Sequence, residues 1–197
     1  MQENEIDNLV YFFSKLPGVG KRSAKRMVLH LINNRTTTMA SLINSMQAAL
    51  DKVIDCNECG NIDVSNPCNI CISYKRDKNV ICILESVTDL WALEKTNAYN
   101  GLYHILGGTL SSMGKHTPQN LNLDSLVARI KANNINEIIL ATNATIDGQT
   151  TSFYIIDKLA KLNVKISRIA QGIPIGGELE FLDEGTINAA FISRKLV

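Results

Sequence analysis

The sequence predicts an α/β protein with a helical N-terminal region. A small four-cysteine finger follows the helices and leads into a mostly parallel α/β sheet, and a C-terminal tail segment closes the chain. Three observations carry this reading. Apolar residues recur at helical spacing up to about residue 53. Four of the five cysteines crowd between positions 56 and 71. From residue 79 onward, short apolar runs alternate with helical patterns, the signature of strands feeding crossover helices.

The elements follow in chain order. Ile6, Leu9, Val10 and Phe13 keep helical spacing until Leu16-Pro17-Gly18-Val19-Gly20 breaks the pattern. A second helix is expected from about Lys21 to Ile32. A third, from about Met39 to Val53, carries Leu42, Ile43, Met46, Ala49, Leu50 and Val53 on one stripe. Val80–Leu84, Leu102–Leu106 and Glu137–Ala141 are continuous apolar runs, as expected of strands buried on both faces. Val164–Ile169 alternates more. Helices are expected at Val87–Lys95, Leu123–Asn133 and Thr150–Leu162, with a short last one near Thr186–Arg194. The implied domains are 1–54 (helical), 55–77 (finger), 78–170 (α/β) and 171–197 (tail).

Composition narrows the class. The 197 residues carry a formal charge of +1, so any basic surface has to be local. No stretch reaches the roughly 18 apolar residues of a membrane span. The first residues, Met1 to Asp7, lack the basic-then-apolar layout of a signal peptide, so the expected location is cytoplasmic.

Cys56-x-x-Cys59 and Cys68-x-x-Cys71 are two knuckle pairs separated by eight residues. Each loop turns two thiolates toward one metal, and two pairs complete a tetrahedron, which points to one structural Zn²⁺ per chain. Two alternatives stand beside it. Disulfides fit badly in a reducing compartment. A redox CxxC belongs at a strand-to-helix junction, whereas these pairs lie in a polar loop. With four cysteines as ligands, no coordination position is left for catalysis. Cys82 falls within an apolar strand and reads as core.

The break at Leu16–Gly20 is the second motif. Gly18 and Gly20 allow a tight turn and close approach of a partner, and the helix that follows directs free N–H groups at the turn. Lys21, Arg22, Lys25 and Arg26 cluster beside it, while Ala24, Met27, Val28 and Leu31 are expected to face the core. This is the chemistry of a phosphate-backbone reader without base specificity. The alternative is an ordinary turn between helices with a solvated basic face.

The stretch resembles a helix-hairpin-helix DNA-binding motif, and in order with the finger and the α/β domain it resembles the RecR family of bacterial recombination-repair proteins. The likeness runs through Leu16–Gly20 with Ser23-Ala24, Cys68-Asn69-Ile70-Cys71, Glu85-Ser86, Ile139–Asn143, Ser167–Ala170 and Gly176–Glu180, nearly the whole chain. The family's α/β module is a Toprim domain, shared with topoisomerases and primases. The resemblance implies a DNA-binding mediator without enzymatic activity that acts with RecO and RecF to place RecA on single-stranded gaps. It also implies a homo-oligomer, either a dimer or a tetrameric ring. Two departures stand out. Lys21 replaces a usual proline, and residues 110–115 match the family loop only loosely.

In Toprim enzymes a Glu and a pair of Asp hold magnesium. Here Glu85 ends the first strand, Asp89 lies one turn on, and Asp147-Gly148-Gln149 offers an amide where a carboxylate is usual. Mg²⁺ is therefore not expected, and these acids read as a partner-binding patch. The alternative function is a Toprim-type magnesium-dependent nuclease or primase-like enzyme. His30, His104 and His116 share no ligand spacing, and Trp91 is expected in the core with Leu90 and Leu93. Gly176–Glu180 resembles a Walker-B-like strand motif, but no phosphate loop of the GxxxxGK[ST] type accompanies it.

Overall fold

The computed structural model describes residues 4–111 and 117–194. His116 and residues 112–115 of the loosely matching loop lie outside the described residues. The chain divides into two compact units, Met1–Val53 and Ile54–Val197.

In the first unit, α1 (Glu5–Phe13) starts where the Asn4 side chain accepts the Asp7 N–H at 2.9 Å. α2 spans Lys21–Asn33, and a π-helical turn at Arg35–Met39 leads into α3 (Ala40–Lys52). Among the described residues of this unit only Ala24, Val28 and Leu31 are buried. Met27, expected inside with them, is 42% exposed. The α3 stripe exists but faces outward, with Ile43, Met46, Val53 and Leu50 exposed, Leu50 to 78%. Three short side chains make too small a core for three helices, so the apolar surface of this unit exceeds what the unit covers by itself.

The second unit opens with the finger. β1 (Ile54–Asp55) pairs antiparallel with β2 (Ile62–Asp63), and the short α4 (Asn69–Ile72) follows. Next comes a four-stranded sheet of β3 (Asp77–Leu84), β4 (Gly101–Ile105), β5 (Glu137–Leu140) and β6 (Lys165–Arg168). The order is β4-β3-β5-β6 and every pairing is parallel. α5 (Val87–Thr96), α6 (Leu123–Ala132) and α7 (Ile146–Leu159) are its helices, and α8 (Glu184–Ile192) lies in the tail.

Strand alternation explains the continuous apolar runs. Ile81 and Ile83 pack with Ile138, Leu140, Leu126, Ile130, Ile155 and Leu159 on one face. Cys82 and Leu84 pack with Tyr103, Ile105 and Leu90 on the other. Each face of β3 is covered by helices, so neither parity can be polar. Burial pushes the Cys82 thiol up to about 12, which leaves it an inert core group.

Two further expectations are corrected. α7 begins at Ile146 and not near Thr150, because the Thr145 hydroxyl accepts the Gly148 N–H at 3.1 Å and caps the helix there. Trp91 is 62% exposed; α5 turns Leu90 inward, and the next residue is rotated about 100° away. The tail motif Gly176–Glu180 is built from turns. Gly176 has φ +83°, the Gly177 N–H donates to the Pro174 carbonyl at 2.9 Å, and a 3₁₀ turn at Leu179–Phe181 follows.

Leu126 is fully buried between α6 and the sheet. Replacing it with Ala removes packing that a rigid sheet cannot refill. The expected loss is about 2–5 kcal/mol in denaturant unfolding monitored by circular dichroism. A loss under about 1 kcal/mol would place the core elsewhere.

Candidate metal centre and nucleic-acid interface

The finger segment is polar and builds no core apart from its cysteines. Cys56, Cys59 and Cys68 are buried, Cys71 is partly exposed, and the four Sγ atoms lie within 4.8 Å of one another. Cys59 and Cys68 sulfurs are 3.6 Å apart, and Cys56 and Cys71 sulfurs 4.0 Å. A tetrahedral site with metal–sulfur bonds of about 2.3 Å has sulfur–sulfur edges of about 3.8 Å. The spacing fits one tetrahedral metal and exceeds a disulfide bond by well over 1 Å. The donor set, four thiolates, fits zinc.

Local backbone sets up this geometry. The β1–β2 hairpin brings the first knuckle round, and the Cys56 N–H donates to the Asn61 carbonyl at 2.7 Å. Two further N–H groups point at sulfur: Asn61 to Cys59 Sγ at 3.4 Å and Cys68 to Cys56 Sγ at 3.3 Å. Gly60 sits at φ +75°, where a Cβ would stand 3.1 Å from the Ile105 carbonyl oxygen. Only glycine turns the knuckle while lying this close to β4. Contact with the Cys68 sulfur, then with Cys71, and burial raise the Cys59 thiol above its ordinary range, while the same contact with Cys59 lowers the Cys68 thiol, so the pair shares a proton.

The finger is bonded to the sheet. The Ile105 N–H, on edge strand β4, donates to the Cys59 carbonyl at 2.7 Å. Arg129 of α6 reaches back to it, with Nη1 donating to the Tyr103 carbonyl at 2.7 Å, Nη2 to Cys71 Sγ at 3.5 Å and Nε 3.6 Å from a Glu58 carboxylate oxygen. His104 is fully buried on β4, and its Nε2 lies 2.6 Å from the Asn122 carbonyl. Burial pushes its imidazole down to about 4, so the ring is neutral and donates to that carbonyl.

At the hairpin, Gly18 adopts φ +77° and the Val19 N–H closes onto the Leu16 carbonyl at 3.1 Å. Gly20 is the N-cap of α2 and makes no side-chain cap. A Cβ at either glycine would meet open space within 4 Å. Gly18 is therefore needed for its backbone angle, while Gly20 leaves the helix start uncovered. Lys21, Arg22, Lys25 and Arg26 are all exposed, and none forms an ion pair among the described residues. No carboxylate lies in the first turn, so like charge is stacked on the positive end of the helix dipole. That arrangement costs stability unless an anion arrives. Arg26 also borders a groove of about 550 Å³ lined by Phe13, Met27, His30, Leu31 and Leu42.

The acidic residues do not converge as a set. Glu85 accepts the Asn143 N–H at 2.7 Å and its Nδ2–H at 2.5 Å, so both carboxylate oxygens are engaged. Asp89 accepts Ser86 N–H and Oγ–H at 2.9 and 2.8 Å in a capping box at the start of α5. Glu85, Asp89, Asp55 and Asn143 line a cavity of about 380 Å³, and Asp147 is not among its lining residues. Asp147 instead sits in the first turn of α7. A Cβ on Gly148 would fall 2.8 Å from Glu85 Oε1, so that glycine lets α7 approach. Among the described residues, only the four cysteines bring three or more possible metal ligands together.

Sequence reasoning missed two residues at these sites. Arg129 interrupts the apolar stripe Leu123, Leu126, Ile130 of α6, and a charge on a buried stripe was the available signal. Asn143, which engages Glu85 through its side chain and backbone, lies beyond the strand end and carried no such mark.

Comparison with known proteins agrees along the chain. Residues 6–50 match the RecR helix-hairpin-helix family, 79–170 the Toprim domain family and 172–195 the RecR C-terminal family. The recombination proteins RecR of Rhodopseudomonas palustris (strain BisA53), Nitrobacter winogradskyi and Bradyrhizobium sp. (strain ORS 278) are each 50% identical over 192 residues, covering 98% of this chain and 96% of the relative. With helices, four-cysteine cluster, parallel sheet and tail helix in the same order, the chain belongs to the RecR family of recombination proteins.

Proposed function

We propose that this protein is a non-enzymatic mediator of recombination repair that grips the phosphate backbone of DNA through the hairpin before α2. The observation that carries this reading is the uncovered start of α2 flanked by Lys21, Arg22, Lys25 and Arg26 without a carboxylate to balance them. Backbone N–H groups and four cations offer a phosphate site, and nothing in the set reads bases. Residues 1–54 would bind DNA, 55–77 form a zinc finger, 78–170 dock partners and 171–197 serve as the tail. Glu85, Asp89 and Asp147 are the acids assigned to partner docking, with RecO and RecF as the partners and RecA loading at single-stranded gaps as the outcome. A cytoplasmic location fits this role, and no described helix is long and apolar enough to cross a membrane.

One monomer offers few phosphate contacts, so useful affinity needs several hairpins on one DNA. The outward apolar stripe of α3 supports a homo-oligomer, a dimer or a tetrameric ring. Magnesium chemistry is disfavoured because Asn143 engages both oxygens of Glu85 and Asp89 caps α5.

Zinc is assigned a structural role, one ion per chain. Freshly purified protein is expected to hold one equivalent, and Cys56→Ser to lower stability, since thiolate–zinc bonds contribute on the order of 10 kcal/mol in isolated fingers. Metal analysis giving under half an equivalent would contradict this.

Replacing both Arg22 and Arg26 with Ala is expected to weaken binding to labelled gapped DNA at low salt and to lower the salt slope by about one per lost contact. Both side chains are exposed, so folding and zinc content should hold. Equal affinity at unchanged oligomeric mass would move the DNA site elsewhere.

A further inference from the structure

We propose that Arg129 is a positioning residue for the cysteine cluster, so that metal retention and docking of the finger on β4 are one event. The inference rests on the zinc reading above and assigns a role to a residue outside the ligand set.

Arg129 is 7% exposed, on the sheet-facing stripe of α6 between Leu126 and Ile130. A buried guanidinium is costly unless paired. Its only ion-pair partner among the described residues is Glu58, 3.6 Å away with a half-exposed side chain, which is a weak counterion. The stronger counter-charge is the cluster itself. Four thiolates around a divalent cation carry a net double negative charge, and Nη2 of Arg129 lies 3.5 Å from one of the four sulfurs. The same guanidinium donates to the Tyr103 carbonyl on β4 at 2.7 Å. A planar fork can meet a sulfur and a backbone carbonyl at once, which a lysine ammonium does less well.

The sulfur it contacts matters. Cys71 is the one ligand of the four that is not fully buried. Cys71 is also the one cluster ligand that lines a cavity of about 260 Å³, together with Glu58, Lys78 and Arg129. The Lys78 ammonium bonds to the Cys71 carbonyl and adds a second cation at the same residue. Arg129 thus contacts the most exposed of the four ligands. Loss of the metal would leave its guanidinium short of its main counter-charge and loosen its hold on the finger.

The test uses full-length, metal-loaded protein and a chromophoric chelator in excess. Arg129→Gln is expected to release zinc about 10–100 times faster than wild type, the loss of affinity typical of an outer-sphere partner expressed in the off-rate. Arg129→Lys, which keeps a cation, should fall between the two. Leu126→Ala, on the same buried face of α6 but packed in the sheet core and not against the cysteines, separates this effect from general destabilisation. After cobalt replaces zinc, the thiolate-to-cobalt charge-transfer band should move to longer wavelength in R129Q and stay fixed in L126A, because only R129Q removes a donor from a sulfur. Should R129Q fail to fold, R129K carries both readouts. Release at the wild-type rate, or equal acceleration by L126A with no band shift in R129Q, would overturn the proposal. A wild-type protein that binds no zinc would instead defeat the zinc reading on which it rests.

Discussion

Four sulfurs drawn within 4.8 Å of each other are the constraint around which the second unit is organised. The segment that carries them is too polar to collapse, and its two strands are only two residues each. Such a hairpin is not stable alone in water. The cluster fixes both knuckles, and the fixed first knuckle presents the Cys59 carbonyl to the free edge of β4. An exposed edge strand invites mispairing. Here the finger occupies part of that edge through the Ile105 N–H, with Arg129 bonded to the Tyr103 carbonyl and Gly60 lying close to the Ile105 carbonyl. The sheet order β4-β3-β5-β6 makes β4 one of the two edge strands.

The first unit poses the opposite problem. It has few buried residues, a broad apolar surface and a run of unbalanced cations at the start of α2. Each feature is unfavourable for an isolated, unliganded domain. On the proposed reading they offset one another in the assembly: apolar stripes are covered by further copies, and the cations of several hairpins share one polyanion. A net charge of only +1 is compatible with this, since the basic residues act over roughly a Debye length and not over the whole molecule.

Much of this was legible in the sequence because it rests on local chemistry. Two closely spaced CxxC pairs in a polar loop point to a tetrahedral site, and the apolar runs of β3, β4 and β5 announce strands covered on both faces. The start of α7 was not legible, since Thr145 competes with other hydroxyls nearby and only the folded backbone shows that it caps Gly148. Trp91 misled because size and apolarity favour burial, while the rotation of α5 is set by Leu90 and the capping box. Asn143 and Arg129 act across 58 residues of sequence, toward Glu85 and Cys71 respectively, and no local pattern encodes such pairings.

The central claim is that the metal-bound finger secures the edge of the sheet. Hydrogen exchange of the full chain, with zinc bound and after its removal, tests it most directly. The account predicts that removal exposes residues 54–72 and the Ile105 amide on β4, while β5 and α7 keep their protection. Unchanged protection at Ile105, with the finger itself opened, would contradict it.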